Sequence, residues 1–353
     1  MPSQVGILGA ALYLPPEIRR NDWWPQDIVD SWMAQRTPPR IPENPTEGLR
    51  LVLAAMAKQA RNPFNDSVER RVMPADMTLV DMQELAARSA IERAGIDAQR
   101  IDVVLTNTVT PDFLHGNPAC TLHHRLGLPR QCFSMETEAA TSSFQMQLLL
   151  AESLIARGHA THALLVQSSA ATRHMEQADP ISPMFGDGAT AVVVGPVSAG
   201  RGLLGAVHFT DGRFPKTVIG SVRGGRWCDE GRGLIHMGDQ EQQDEVFMQI
   251  ADICKESIGA ALAKAGQRAE AVDFFCMHQG TPWLREVIQT YVGLVNARSF
   301  DLFHRTAHLM ASNIPATLAA AHEAGALRDD DLVVLMGGGQ GMTYGASVLR
   351  WGP

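Results

Sequence analysis

The sequence lacks the marks of several common protein classes. Lys and Arg number 30 against 38 Asp and Glu, so there is no excess of positive charge with which to meet nucleic-acid or membrane-surface phosphates. Neither an HExxH sequence nor a GxxxxGKS/T loop is present, which disfavours a metal enzyme and a nucleotide-dependent kinase. The apolar run at residues 6–15 follows no basic region and is too short to cross a bilayer, so we interpret it as the first strand.

Cysteine is also scarce. The five cysteines are odd in number and widely scattered, and no CxxC pair is present that could hold zinc or shuttle electrons. We therefore expect a reducing, cytoplasmic environment and no bound metal. The cysteines are Cys120, Cys132, Cys228, Cys254 and Cys276.

What the sequence does contain is enough apolar material for a large core. Hydrophobic residues make up 45% of the 353 residues and charged residues 19%, which fits one large α/β unit or two fused domains with a continuous core. This composition argues against disorder. Together with the net charge of −8, it favours small or acyl substrates.

One segment of the chain is repeated at a constant offset of 171 residues. Residues 90–111, AIERAGIDAQRIDVVLTNTVTP, align without a gap with residues 261–282, ALAKAGQRAEAVDFFCMHQGTP. In each copy a helix ends at a glycine, Gly95 or Gly266, and a short polar linker leads to an aspartate and an apolar β-run. The second copy of this strand ends at His278.

A second pair of segments corresponds at an offset of 167. Residues 140–158 resemble residues 307–325, and both read as helices that start with Ala, Ser and Thr. Small residues permit close backbone approach, so we expect two central helices packed against each other between sheets. The strands that follow are residues 162–169 and 331–338, and the closing turn-and-strand segments are residues 186–195 and 341–352.

These repeats predict a molecule with pseudo-two-fold symmetry. Its halves would be residues 1–195 and 196–353, and the long apolar runs between helices indicate sheets covered on both faces. We expect the chemistry where the central helices begin, because helix N-termini present free N–H groups and a positive dipole end. Three side chains would converge there: Thr141, His308, which is the equivalent position in the second repeat, and His278.

Four motifs are distinctive within this framework. They are ETEAATSSF (residues 136–144), FGDGATAVVVG (residues 185–195), MHQGTP (residues 277–282) and GGGQGMTYGASVLRW (residues 337–351). Together they resemble the β-ketoacyl-acyl-carrier-protein synthase III family over nearly the whole chain. The resemblance implies the thiolase fold, in which two pseudo-symmetric α/β halves form a layered αβαβα sandwich, and an acyltransferase or condensing activity.

The chain departs from that family at two site positions. Three residues before the phenylalanine of the first motif the family has its acyl-accepting cysteine, and here that residue is Thr141. The family's asparagine at the second central helix is replaced by His308. An insertion of roughly thirty residues, residues 38–65, contains the amphipathic segment LRLVLAAMAKQA, a candidate for reshaping the substrate mouth.

The change from cysteine alters the chemistry that the resemblance implies. A threonine hydroxyl becomes nucleophilic only if a base removes its proton during attack, so His278 or His308 would have to act on Thr141. A small hydroxyl at a helix start is also typical of an N-cap, which is the competing interpretation. Ser142 and Ser143 are alternative hydroxyls in this segment, although a structural role suits them better.

The two histidines keep a role even without a thiol. Imidazole N–H groups can stabilise the enolate formed when a malonyl thioester loses carbon dioxide, and a His–His pair occurs in type I and II relatives of the family. A histidine at a strand end can also be a hydrogen-bonded core residue, but two patterns place His278 beside His308. The backbone N–H groups of Thr141 and Gln340 are the candidates for an oxyanion hole.

The resemblance also implies a thioester carrier, with no tightly bound cofactor. DSWMAQRT (residues 30–37) resembles the family's coenzyme A stretch, which would place Trp32 and Arg36 beside the adenine and phosphate. Thr281 and Trp283 would lie near the carrier entrance. Core packing for Trp32 and a solvated charge for Arg36 are the alternatives, and a basic stretch at residues 213–226 is either a surface for an acyl carrier protein or a solvated loop.

Three functions remain in view. The first is an acyltransferase or condensing enzyme that acts on acyl-CoA or acyl-carrier-protein thioesters in fatty-acid-like, polyketide or specialised metabolism. The second is a catalytically silent subunit that pairs with an active homologue, and the third is a malonyl-thioester decarboxylase. By resemblance we expect a homodimer, with a heterodimer as the alternative, and neither nucleic acid nor membrane as a partner.

Overall fold

A computed structural model describes residues 4–36 and 41–353. Within these ranges the chain forms thirteen β-strands and nine α-helices. The strands are β1 (Val5–Tyr13), β2 (Glu17–Arg20), β3 (Glu69–Val72), β4 (Val103–Thr108), β5 (Phe133–Glu136), β6 (Ala163–Ser169), β7 (Gly188–Pro196), β8 (Gly202–Thr210), β9 (Val218–Ser221), β10 (Leu234–Met237), β11 (Phe274–Met277), β12 (Leu332–Gly339) and β13 (Thr343–Arg350). The helices are α1 (Gln26–Gln35), α2 (Glu47–Gln59), α3 (Leu79–Ala94), α4 (Pro118–Leu126), α5 (Ser143–Ala156), α6 (Gln240–Lys264), α7 (Leu284–Val292), α8 (Phe303–Thr306) and α9 (Asn313–Glu323).

The two main sheets have the same design. The first has the order β1-β7-β6-β4-β5, and the second has the order β8-β13-β12-β11. In each sheet the first three strands pair antiparallel and the fourth pairs parallel to the third. Strand β5 extends the first sheet at its edge, and two short antiparallel pairs, β2 with β3 and β9 with β10, lie outside both sheets.

Helices and sheets alternate in five layers. Helices α3 and α4 pack on one face of the first sheet, and α6 and α7 pack on the far face of the second. Helices α5 and α9 lie between the sheets, where Phe144 and Leu318 are among the residues of a fully buried cluster. Strands covered on both faces must be apolar throughout, which explains why the central strands read as continuous hydrophobic runs. The predicted αβαβα thiolase fold is confirmed.

The repeat at offset 171 has the same structure in both copies. Helices α3 and α6 are both followed by a left-handed glycine, since Gly95 and Gly266 each have φ of 65°, a conformation that glycine adopts without a Cβ clash. A 3-10 turn follows in each copy. Asp102 and Asp273 then accept hydrogen bonds from backbone N–H groups at the start of the neighbouring strand, β6 or β12. These local signals position β4 and β11 in equivalent places.

The central helices correspond less closely at their beginnings. Gly158 and Gly325, with φ of 73° and 70°, follow the two helices at the offset of 167. Helix α5 has 14 residues, however, and α9 has 11, because α9 begins three residues later in the alignment. Thr141 therefore lies inside the 3-10 turn that leads into α5, whereas His308 precedes the equivalent turn before α9.

The insertion forms helix α2, which joins the two halves. Thr46 accepts a hydrogen bond from the N–H of Leu49 at 3.1 Å as an N-cap, and its own hydroxyl donates to Asp252 of α6 at 2.7 Å. Tyr291 of α7 donates to the same carboxylate at 2.8 Å. The predicted amphipathic helix is present and packs on α6 and α7. Residues 37–40, which end the predicted carrier stretch and begin the insertion, lie outside the described residues.

No helix in the described ranges combines the length and the hydrophobicity that a membrane span requires.

Candidate active site

His278 stands directly after β11, where the second sheet opens toward the central helices. Its backbone N–H donates to the carbonyl of Met336 at 2.9 Å, which continues the parallel pairing of β11 with β12 by one residue. The side chain is partly buried, and its ring nitrogens lie next to His308 and Asn313. The sheet fixes the backbone, so the position of this imidazole follows from strand register.

His308 is held by residues from the other half of the chain. Its N–H donates to the carbonyl of Met184 at 2.8 Å, and its carbonyl accepts from the N–H of Gly186 at 3.2 Å. The ring packs edge-on against Phe185, with ring centroids 4.9 Å apart. Only 7% of His308 is exposed. The backbone of a histidine in the C-terminal half is thus hydrogen-bonded to a short segment of the N-terminal half.

The two imidazoles form a hydrogen-bonded pair. Nε2 of His278 and Nε2 of His308 lie 2.8 Å apart, and the rings are nearly perpendicular at 87°. Burial lowers the pKa of His278 to about 4, and burial together with the neighbouring His278 lowers the pKa of His308 well below its ordinary value. Both rings are therefore neutral at pH 7, and one Nε2 donates while the other accepts.

Asn313 is a third polar side chain at this pair, and the sequence reasoning missed it. It is the first residue of α9 and is 4% exposed. Its Oδ1 accepts a hydrogen bond from the N–H of Leu309 at 3.2 Å, and its Nδ2 lies 3.4 Å from Nδ1 of His278. The sequence did offer one indication of its importance: Asn313 is the one amide side chain among the small and apolar residues at the start of a buried helix.

Thr141 is in the expected segment, but its hydroxyl points to a carbonyl. Oγ1 donates to the backbone carbonyl of Gly338, at the end of β12. Among the described residues it makes no hydrogen bond to either imidazole. The structure thus brings the two histidines together, and it shows the threonine hydroxyl engaged with the opposite half of the fold.

The neighbouring hydroxyls are also engaged with the backbone. Ser142 donates to the carbonyl of Thr343 at 3.0 Å, and Ser143 donates to the carbonyl of Ala140 at 2.7 Å. Both side chains are buried. These contacts hold the turn before α5 in place and agree with a structural role for both serines.

The predicted oxyanion-hole segments lie against each other. A Cβ added at Gly339 would come within 2.5 Å of the carbonyl oxygen of Ala139 and within 2.9 Å of the N–H nitrogen of Ser142. Glycine is therefore required for this close approach of backbone to backbone. The turn with Gln340 follows directly, next to the turn with Thr141. An oxyanion hole formed by these two N–H groups stays a prediction.

A small apolar cavity adjoins His278. Its volume is about 60 Å³, and its walls include Cys254, Met277, Met336 and Met342. Gly338, which accepts the Thr141 hydroxyl, also lines it. Thioether side chains have soft, adaptable shapes, so the cavity can change its form when a ligand enters.

The residues after His278 lead away from the pair toward α7. Thr281 has a buried hydroxyl without a hydrogen-bond partner in the described part of the chain. Trp283 immediately precedes α7 and packs against the buried cluster beneath α6 and α7. A role for either residue in carrier binding stays a prediction.

Trp32 and Arg36 make contacts within the protein. Trp32 is 3% exposed, donates from Nε1 to the carbonyl of Ala178 at 2.7 Å and packs with Trp24 and Phe64. Arg36 donates to three backbone carbonyls at the end of α2, at 2.9 to 3.3 Å. These contacts favour core packing for Trp32 and a helix-end contact for Arg36 over direct carrier binding, which stays a prediction.

The basic stretch is largely paired with acids of the same chain. Arg213, Arg223 and Arg226 each form an ion pair with a nearby aspartate. Their charge is thus already matched, which favours a solvated loop over a surface for an acidic carrier protein.

Comparisons with known proteins agree with this architecture. Residues 135–212 match the family 3-oxoacyl-[acyl-carrier-protein (ACP)] synthase III, and residues 262–351 match its C-terminal counterpart. A β-ketoacyl-[acyl-carrier-protein] synthase III of Geobacillus kaustophilus is 30% identical over 350 residues, which is 98% of this chain and 99% of the relative. The protein of the same name from Staphylococcus saprophyticus is 30% identical over 351 residues, 99% of each chain.

Solved structures give the same result. The 3-oxoacyl-(acyl carrier protein) synthase III of Pseudomonas aeruginosa has a TM-score of 0.80 at 25% identity and covers 99% of both chains. OleA of Xanthomonas campestris shares the fold, with a TM-score of 0.79 at 18% identity over 99% of this chain and 97% of its own. By its length of match, its repeated sheets and its central helices, the chain belongs to the β-ketoacyl-acyl-carrier-protein synthase III family.

Proposed function

We propose that the chain is an acyltransferase of the ketosynthase III type that acts on acyl thioesters through the pair His278 and His308, without a cysteine nucleophile. The observation that carries the proposal is the contact of 2.8 Å between the two Nε2 atoms, where the central helices begin. Two neutral imidazoles can hold the thioester carbonyl oxygen and accept a proton, which are the two tasks of acyl transfer.

Thr141 has one of two roles in this proposal. It is either acylated after a histidine removes its proton, or it orients the strand end through its bond to Gly338. The observed bond favours the orienting role, because the hydroxyl proton already points at a carbonyl. An ester on Thr141 would also be a poorer electrophile than a thioester, so carbon–carbon bond formation through such an adduct is expected to be weak.

The substrate carrier would be coenzyme A or the phosphopantetheine of an acyl carrier protein, without a tightly bound cofactor. The names of the relatives refer to acyl carrier protein, which is the basis of this assignment. The hydroxyl of Thr281, which has no hydrogen-bond partner among the residues that the structure describes, and the indole of Trp283 follow His278 in the chain. Both are candidates to contact the pantetheine arm.

The direct test measures thiol release from a panel of acyl thioesters, with intact-protein mass spectrometry on the same samples. His278→Ala and His308→Ala should each lower turnover by about 10²-fold or more, as expected for loss of a general base or of an oxyanion donor. The exposed His322→Ala is the matched control. Thr141→Val should lower turnover only modestly if the residue orients, because the bond to Gly338 positions the strand end and not the reacting atoms, and should abolish turnover if the residue is acylated.

The proposal is overturned if neither histidine variant changes turnover, or if the wild-type protein forms no adduct and transfers no acyl group from any thioester.

A homodimer is proposed on the exposed apolar surface at one edge of the first sheet. Within residues 4–36 and 41–353, strand β5 has no partner on its outer edge, and Phe133 on this strand is 53% exposed. Phe113 and Leu114 are 77% and 71% exposed in the loop before α4. Exposed edges and apolar side chains of this kind favour pairing with another chain. Sedimentation of the wild type beside Phe133→Lys tests the proposal, since the variant should sediment as a monomer.

The second candidate is a catalytically silent subunit, and the engaged hydroxyl of Thr141 favours it. No thiol stands at the start of α5, and the buried Cys254, the thiol that lines the cavity, has a pKa that burial raises to about 12. Such a subunit should co-purify with a cysteine-bearing homologue and raise its activity. Turnover by the isolated chain would remove this candidate.

A third candidate is decarboxylation of a malonyl thioester without condensation, for which the two imidazoles would stabilise the enolate. It predicts release of carbon dioxide that disappears in His308→Ala.

A further inference from the structure

Asn313 has an amide whose orientation is fixed by the backbone. The N–H of Leu309 points at Oδ1 at 3.2 Å, and a donor can be received only by the oxygen of the amide. The other end of the amide is therefore NH₂, and it faces Nδ1 of His278 at 3.4 Å. The reverse orientation would set two donors against each other at Leu309. With 4% of Asn313 exposed, water cannot readily replace either contact.

This orientation decides where the proton of each imidazole resides. Nδ1 of His278 faces a donor and must accept, so the single proton of this neutral ring is on Nε2. That Nε2–H points across 2.8 Å to Nε2 of His308, which must therefore offer its lone pair. By elimination, the proton of His308 is on Nδ1. The chain of hydrogen bonds from the N–H of Leu309 through Asn313 and His278 thus ends on the Nε2 lone pair of His308, which is the base of the pair.

We propose that Asn313 is a positioning residue that makes His278 a fixed hydrogen-bond donor and His308 the base, and that the acyl acceptor is consequently an alcohol or an amine. The inference rests on the proposed acyl transfer and specifies its acceptor. Decarboxylative condensation is best served by two N–H donors on the developing enolate oxygen, whereas this pair supplies one donor and one lone pair.

The reaction that fits this pair is direct transfer to the acceptor. The thioester and the acceptor enter between the two rings, so that the hydrogen bond between the two Nε2 atoms opens and frees the N–H of His278 and the lone pair of His308. A lone pair of the acceptor oxygen or nitrogen attacks the thioester carbonyl carbon, and the acceptor proton moves to Nε2 of His308. The oxyanion of the tetrahedral intermediate is held by the Nε2–H of His278. The carbon–sulfur bond then breaks, and the thiolate takes the proton from His308, so that an ester or amide and a free thiol leave. No covalent enzyme intermediate and no further reactant are needed.

Asn313→Asp reverses the polarity of the chain at one atom. The carboxylate can still accept from the N–H of Leu309, so the contact that opens α9 is kept. Its other oxygen now accepts, which draws the proton of His278 to Nδ1 and leaves Nε2 with a lone pair. His278 then offers no N–H to the thioester carbonyl, and His308, which becomes the donor, offers no lone pair to the acceptor. We expect kcat for transfer to an alcohol or amine to fall by about 10²-fold with a smaller change in KM.

The tautomers are measured directly by nitrogen NMR of protein labelled at histidine, with His278→Gln and His308→Gln used to assign the signals. Wild-type protein should show an unprotonated Nδ1 on His278 and a protonated Nδ1 on His308, and Asn313→Asp should exchange these states. Thr317→Val is the control, since Thr317 is buried in the same helix and its hydroxyl has no hydrogen-bond partner among the described residues. It should leave the tautomers unchanged.

The inference is overturned if wild-type His278 carries its proton on Nδ1, or if Asn313→Asp leaves both tautomers as they were. The wild-type spectrum decides the matter even if the variant does not fold. Absence of turnover with every thioester, alongside the expected tautomers, would contradict the proposed function but leave the role of Asn313 in setting the tautomers intact. Acyl transfer only to carbon acceptors, with none to an alcohol or amine, would overturn the acceptor class.

Discussion

The histidine pair should make the folded protein sensitive to mild acid. The pKa of His278 is about 4 in the folded protein, against about 6.5 for an unperturbed histidine. Between these two values the unfolded chain binds more protons than the folded one, so the free energy of unfolding falls as the pH is lowered. The stabilisation is complete above about pH 6.5 and is lost progressively down to about pH 4.

The magnitude follows from the two pKa values. At pH 5 the imidazole of His278 is almost fully protonated in the unfolded chain and mostly neutral in the folded protein. The free energy of unfolding is therefore about 2 kcal/mol lower at pH 5 than at pH 7. His308 acts in the same direction, because its pKa is also lowered by burial and by the neighbouring imidazole. A proton on one ring opposes a second proton on the other, so the pair responds as a unit.

Urea unfolding at pH 7 and pH 5 measures this effect. Between pH 7 and pH 5 the free energy of unfolding should fall in both proteins. The fall should be smaller in the double variant His278→Gln/His308→Gln than in the wild type, by at least about 2 kcal/mol. Three other histidines with lowered pKa values contribute equally to both proteins and cancel in the difference; they are His162, His174 and His208. The exposed His322→Gln controls for removal of an imidazole. Equal losses in the double variant and the wild type would refute the reasoning.

Three further outcomes are expected. Thr141→Cys should acquire an acyl adduct, seen as a mass increase after incubation with an acyl thioester, because the thiol restores a nucleophile at the start of the central helix; no adduct would show that the site cannot present a thioester there. Gly339→Ala should lower the free energy of unfolding by about 1–3 kcal/mol in urea titrations, since its Cβ meets backbone atoms, whereas Gly212→Ala, where a Cβ meets no atom, should be close to neutral. Arg36→Lys should speed amide hydrogen exchange at the end of α2, because the compact ammonium group lacks the planar fork with which the guanidinium spans three carbonyls; unchanged exchange would contradict the contact.

The fold was predictable because its signals are local and duplicated. A glycine after the helix, a short linker and an aspartate before the strand recur at Gly95 and Gly266, and each serves the same purpose in both sheets. Two copies of one pattern exclude chance more strongly than either copy does alone. The alternation of apolar strands and helices then leaves few topologies to consider.

The site was predictable only in part. His278 ends a strand, so the register of the sheet fixes its place, and its contact with His308 agrees with the pattern. The direction of the Thr141 hydroxyl depends on a carbonyl about two hundred positions away in the chain, at Gly338, and no spacing rule reveals it. The contact of Asn313 with His278 likewise depends on how α9 starts three residues later than its counterpart, which the alignment of the repeats did not show. Trp32 matches a carrier motif in sequence, yet its burial is a property of the aromatic cluster around it.

Each half of the fold holds a residue of the candidate site that belongs to the other half. Residues of the first half anchor the backbone of His308, and the second half receives the hydroxyl of Thr141. A chain in which only one half has reached its native structure therefore cannot carry out the chemistry, however well that half is formed. In the proposed acyl transfer, thioester cleavage would therefore report assembly, and a nascent or partly unfolded chain would not consume acyl groups.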